Sequence, residues 1–326
     1  MQRSLRLLAA LVALACATPG RAAETWDCYT YIPNAQVIAA HNLETMLAEI
    51  NDGAKGELAI RMHLGGTLSI NAANITTAVS DDVIQIADDT QYIGSIPVAG
   101  VLRLPLLASD HEEYARAYDV LRPYIEAALA KKGVTVLASY SYPAQVLWGR
   151  RKIESLADLK GLKIRVTSPE QAEFVKRYGA IAITLGTSEV PASLDRGIID
   201  GVITAASGAG YLWRDLLKYN YGLGTNFSDS LIIVNAERFD KLPPALQATL
   251  RAVTTKAAAQ TTADMQREET VLTQKMKDAG MVVTPARAED AAEARTRMAP
   301  YWDEWARTKN STARGALAKV RASLGR

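Results

Sequence analysis

From Ala245 to Ala279 the chain carries no glycine and no proline, and this stretch constrains the fold more than any other feature. Proline at 243 and 244 suits a helix start. Roughly 35 residues at 1.5 Å rise each make a helix on the order of 50 Å long. That exceeds the depth of one domain, so such a helix either bridges two lobes or kinks between them. The full length of 326 residues agrees, being long for a single small domain.

Ahead of it, hydrophobic periodicity predicts a strand at 26–31, a helix at 35–50, a strand at 57–64 stopped by Gly65-Gly66, a helix at 72–80 and a strand at 83–87 closed by Asp88-Asp89. A second unit follows, with helices at 111–132, 169–178 and 189–196 and strands at 134–140, 162–166, 181–185, 199–203 and 231–235. One or two helices over 288–324 close the chain. Strands alternating with helices predict an α/β protein with mostly parallel sheets clothed by helices.

The first 22 residues read as a cleaved secretory signal: Arg3 and Arg6, an apolar run from Leu7 to Ala15, a break at Pro19-Gly20 and a small residue at Ala22. Cys16 leaves lipid attachment open as an alternative, although Leu14 stands one position late for that pattern. Cleavage removes three of the 37 basic residues (Arg3, Arg6, Arg21) and none of the 35 acidic ones, so the net charge of +2 becomes −1. Such a balance gives no footing for nucleic acid or an anionic membrane. Cys28 is then the one remaining cysteine, and an internal disulfide is excluded.

Enzyme chemistry is hard to find. His41, His63 and His111 lack metal-ligand spacing, and His63 reads as a packed or edge residue. There is no G-x-S-x-G elbow. AASGAG at 205–210 lacks the G-x-G-x-x-G spacing and a Walker lysine, and reads as a hinge-like loop. Neither a cofactor nor a metal is expected.

The segment LADLKGLKIRV (156–166) carries more. A surface helix and a turn at Gly161 lead to a short strand with Leu162, Ile164 and Val166 on one face and Lys163 and Arg165 on the other. In open parallel sheets, ligands bind beyond the carboxyl ends of the strands, and Arg165 is next to last in its strand. There it can take a carboxylate through two parallel hydrogen bonds. An ordinary structural ion pair explains the same residue equally well. Other strand ends offer Asp88, Tyr29, Tyr31, Trp148 and Thr204, the aromatics among them reading also as core.

KIESLADLKGLKIRV (152–166), EVPASLDRGIIDGV (189–202), LIIVNAERFDKLP (231–243) and the long helix after them resemble the solute-binding proteins of TRAP transporters, the tripartite ATP-independent periplasmic uptake systems. HLGGTL (63–68) and RLPLL (103–107) fit as well. The resemblance implies a two-lobed periplasmic binding protein fold. One lobe would hold 23–148 and about 233–260, the other 149–232 and the C-terminal helices, with a helix over 243–279 spanning both. It implies Arg165 as the carboxylate anchor, with Thr204 and Asp88 at polar pocket positions. Sialate-binding members carry a second arginine where this chain has Gln145. The expected ligand is therefore a monocarboxylate, a hydroxy, keto or sugar acid. Expected too are a periplasmic location, a monomer and membrane permease subunits as partners. An exported sensor or an exported enzyme with an unfamiliar site are the alternatives.

Overall fold

The computed structural model describes residues 24–326; the signal segment and Cys16 lie outside them. Nine strands form one hydrogen-bonded sheet. At one end lie β1 (Glu24–Thr30), β2 (Leu58–His63) and β3 (Ile86–Asp89), mutually parallel, with β1 in the middle. At the other lie β5 (Lys163–Val166), β6 (Ile181–Thr184) and β7 (Gly201–Thr204), also parallel, with β5 in the middle. Between them run two long antiparallel strands, β4 (Val134–Gly149) and β8 (Tyr219–Asn235). β8 pairs with β3 through Leu231–Val234, and β4 pairs with β7 through Val146–Gly149. A short β9 (Val282–Thr284) joins the start of β8. The expected α/β class with parallel sheets is what forms, but β4 and β8 are far longer than the strands anticipated at 134–140 and 231–235. Their register slips between Tyr142 and Gln145 and again before Leu147. A strand that changes environment midway keeps no single alternation, so only its most apolar part stood out.

Helices cover both faces. In the first half, α1 (Ile38–Gly53) packs Leu43, Leu47 and Ile50 with Cys28 and Ile60, while α2 (Ile75–Ser80) and α3 (His111–Ala130) cover the other face with Leu121, Ile125 and Leu129. In the second half, α4 (Pro169–Arg177) and α8 (Ala288–Arg307) bury Phe174, Val175, Ala294 and Met298 against Ile164 and Val166. The opposite face holds α5 (Val190–Asp195), with Val190 and Leu194 around Trp148, Val202 and Trp213. A five-residue α6 (Ala236–Asp240) precedes α7 (Pro244–Asp278), the long helix, and α9 (Ser311–Ser323) ends the fold. α7 buries Leu250 and Met265 beside α1, and Met276 beside Trp148 and Trp213.

Local chemistry sets several boundaries. Ser168 caps α4 by accepting from the Gln171 amide, with Pro169 at its first turn. Leu156–Leu159 is a 3-10 turn rather than a surface helix, closed by a Ser155–Asp158 capping box. The strand expected at 83–87 begins only at Ile86. The amides of Val83 and Ile84 fold back onto the Ala78 carbonyl, and Asp82 takes a positive φ of 58°. Asp88 and Asp89 therefore lie inside β3.

Two consequences can be measured. A Cβ on Gly201, which pairs with Gly149, would stand 2.3 Å from the Trp148 carbonyl oxygen, and backbone cannot yield there. Gly201→Ala is expected to cost about 1–3 kcal/mol in urea unfolding, while Gly94→Ala, with open space around it, costs little; equal losses in both would contradict this packing. Asp89, 1% exposed, accepts from Thr76 Oγ1 at 2.6 Å and the Gln91 amide at 2.7 Å. Burial nevertheless pushes its carboxyl up to about 7. The folded state then keeps a proton that the unfolded chain releases near pH 4, so stability falls as pH rises from about 4 to about 7. Asp89→Asn should flatten that part of the melting-temperature profile, and parallel profiles would refute it.

Candidate functional site

The carboxyl ends of both parallel strand sets converge on one cavity of about 300 Å³. That is the low end of the roughly 300–1,000 Å³ found for small-molecule sites. One wall comes from the β1, β2 and β3 ends, with Tyr29, Tyr31, Gly65, Asn71, Thr90 and Gln91. The other comes from the β5, β6 and β7 ends, with Arg165, Thr167, Thr184, Glu189, Thr204 and Gly208. Gln145 and Ser228, from β4 and β8 where they cross, complete it.

Arg165 sits in β5 with Ile164 and Val166 turned into the core behind it. Its Nε donates to the Leu185 carbonyl at 3.0 Å, and its guanidinium lies 5.6 Å from the Trp213 ring centre. It is 4% exposed, and among the described residues no carboxylate lies within ion-pair distance of it. Burial lowers its pKa to about 10, against the opposing pull of Tyr31 and Glu189. It stays a cation at neutral pH. A buried, unmatched cation costs free energy unless an anion reaches it.

Tyr29 braces the rim: its hydroxyl donates to the Ile70 carbonyl and accepts from the Gly66 amide, both at 3.1 Å. Gly65 is required there, since a Cβ would stand 2.3 Å from the Tyr31 carbonyl oxygen. Tyr31 and Tyr142 bond through their hydroxyls at the cavity wall. Gln145 donates from Nε2 to the Pro143 carbonyl at 2.9 Å. Thr204 ends β7 with its hydroxyl held only by a long 3.4 Å contact to the Ala205 carbonyl.

Two expected residues stand behind the wall instead of lining it. Asp88 is fully buried, and its carboxylate is occupied by Thr30 Oγ1 at 2.7 Å, Tyr140 OH at 2.9 Å and the Ser230 hydroxyl. Tyr140 in turn lies 3.3 Å from Tyr142 OH, so Asp88 anchors the tyrosine chain. Trp148 is also fully buried, and its indole N–H donates to the Thr204 carbonyl at 2.8 Å. A strand end fixes which crevice a residue is near, but not which side of the strand its side chain takes.

The loop at 205–210 is not slack. Glu269 of α7 accepts from the Ala206 amide at 2.9 Å, the Ser207 amide at 2.8 Å and Ser207 Oγ at 3.0 Å. That triple contact ties the cavity floor to the long helix. The three histidines remain scattered, His63 pairing with Asp27 at 2.8 Å. Among the described residues no group of metal-ligating side chains forms.

One lining residue was missed by the sequence reading. Arg103, 4% exposed, ends a seven-residue 3-10 helix (Pro97–Arg103) and reaches the cavity from the first wall. The available signal is a lone charge within the apolar run VAGVLRLPLL, 98–107.

Known proteins share this fold. The sequence pattern of "Bacterial extracellular solute-binding protein, family 7" matches residues 31–309. The 2,3-diketo-L-gulonate-binding periplasmic protein of Escherichia coli is 27% identical over 261 residues, 77% of each chain. Among solved structures, a Bordetella pertussis extracytoplasmic solute receptor binding pyroglutamic acid superposes with a TM-score of 0.85 at 24% identity, covering 92% of this chain and 100% of that one. A Roseobacter denitrificans TRAP solute-binding protein with bound β-D-glucuronate gives 0.83 at 21%, covering 92% and 99%. The chain belongs to this family, the extracytoplasmic solute-binding proteins of TRAP transporters.

Proposed function

We propose that this protein is a periplasmic receptor that captures a small monocarboxylate on Arg165 and hands it to the membrane permease subunits of a TRAP transporter. The observation that carries the proposal is the buried Arg165 guanidinium, which faces the cavity with no carboxylate of the described residues within ion-pair distance. Its Nε is fixed by the Leu185 carbonyl, which orients the fork for a planar acid group. The acids named for the relatives, diketogulonate, pyroglutamate and glucuronate, each combine one carboxylate with neutral carbonyl or hydroxyl groups.

Tyr29, Tyr31, Gln145 and Thr204 supply neutral polar contacts around the acid, while Asp88 and Trp148 act one layer back. The cavity walls are read as two lobes with β4 and β8 crossing between them; the last helix, α9, goes with the first lobe and not the second, since its Ala313, Leu317 and Val320 pack with Leu121 and Ile125 of α3. Docking of the acid group favours the closed arrangement, and the permease reads that state. Binding and release need no catalytic group, so the protein works as a monomeric carrier and not as an enzyme. The first 22 residues direct export and are cleaved off near Ala22.

Titration calorimetry with L-pyroglutamate and D-glucuronate tests the anchor. Arg165→Ala is expected to weaken whichever acid binds by about 2–5 kcal/mol. Arg165→Lys keeps the charge but loses the two-point contact, and should recover only part of that loss. Wild-type affinity in both variants would remove Arg165 from this role.

A further inference from the structure

The cavity holds a second guanidinium, and its electrostatic situation is the reverse of the first. Arg103 Nη2 lies 3.2 Å from Asp229 Oδ1, and the same nitrogen donates to the Asp229 carbonyl at 3.0 Å and the Thr90 carbonyl at 3.2 Å. Asp229 is fully buried and also accepts from Tyr92 OH at 2.6 Å. Burial, the largest single effect, would lower the pKa of Arg103, but the Asp229 carboxylate acting together with Tyr114, Tyr92 and Glu170 turns the net shift upward. Arg165, equally buried, moves down. One cation of the cavity is matched within the protein and the other is not.

Arg103 also donates from Nη1 to the Ser228 hydroxyl oxygen, and both residues line the cavity. A hydroxyl whose oxygen accepts from a guanidinium has its own proton free to donate, and that donor is strengthened by the positive charge behind it. The first wall therefore presents polar hydrogens without net charge. Buried acceptors suit such a surface. A second carboxylate does not, because it would share one guanidinium with Asp229 in a place walled from water.

We infer that Arg103, neutralised by Asp229 and relayed through Ser228, forms a neutral-acceptor subsite facing Arg165. It selects acids bearing one carboxylate and a separate keto, lactam or hydroxyl oxygen, and it rejects dicarboxylates. This deepens the carboxylate-anchor reading and rests on it. It places the selectivity on a residue pair that is distinct from Gln145.

The test measures the mature protein by calorimetry against matched acids: D-glucuronate with D-glucarate, and levulinate with pentanoate. Wild type should bind D-glucuronate at least about tenfold more tightly than D-glucarate, and levulinate more tightly than pentanoate. Asp229→Asn keeps an acceptor for Tyr92 and removes the internal charge. It should shift the glucuronate-to-glucarate preference at least about tenfold toward the dianion. Ser228→Ala, at the cavity wall, should erase most of the levulinate advantage, a change of about three- to tenfold, without weakening pentanoate; this arm decides the matter if Asp229→Asn does not fold. Unchanged preferences in the variants, or a wild type that takes D-glucarate as well as D-glucuronate, overturn the subsite. Arg165→Ala run beside them separates the two readings. If it leaves all binding intact, or if wild type binds none of the four acids, the anchor itself falls. If it abolishes binding while Asp229→Asn changes no preference, only the Arg103 assignment falls.

Discussion

Everything in this molecule hangs on the antiparallel pairing of β4 and β8. Among the described residues these two strands, as a pair, join the two parallel sets, β8 lying against β3 and β4 against β7. Because β1, β2 and β3 at one end, and β5, β6 and β7 at the other, aim their carboxyl ends at the crossing, the two crevices of an ordinary α/β sheet become a single chamber. The register slips near Tyr142, Gln145 and Leu147 lie at that chamber. Backbone irregularity thus falls where side chains of both walls must be presented, a common use of bulges.

The charges follow a simple division. Two buried acids beside the chamber are held from within the protein: Asp88 by Thr30, Tyr140 and Ser230, and Asp229 by the nearby Arg103 cation and the Tyr92 hydroxyl, although its Oδ1 accepts no hydrogen bond. These contacts join β1, β3, β4 and β8 and hold Tyr140, Tyr142 and Tyr31 in one hydroxyl chain. Against this internally balanced wall, Arg165 remains the uncompensated group. Electrostatic demand is concentrated at Arg165, with Glu189 on the same wall but outside ion-pair distance of it.

Arg165 could be read from sequence because its strand is short, follows a glycine turn, and alternates cleanly between Ile164 and Val166. Tyr29, Tyr31 and Thr204 were legible as residues at strand ends, and Gln145 only through the family resemblance, as the position where sialate-binding members carry a second arginine. Asp88 and Trp148 misled because proximity to a strand end does not reveal the facing of the side chain. Arg103 was hidden by distance. Its turn is not a periodic element, and its counter-charge lies 126 residues further along the chain. Likewise the 205–210 loop looked slack because its restraint, Glu269, belongs to a helix 62 residues away from Ser207. Long-range polar pairing leaves almost no local trace, whereas the length of α7 was plain from an unbroken run without glycine or proline.

That helix acts as a pinned strut. Around its middle Lys256 reaches Glu49 and Asp264 holds Asn42, both on α1, while five residues beyond Asp264 Glu269 grips the amides of Ala206 and Ser207. With both ends of the sheet fastened to one rod, the walls cannot simply slide apart at the floor. Were the walls to change their angle as proposed, the flexing would fall to β4 and β8 at their irregular midpoints, beside the mouth of the chamber itself.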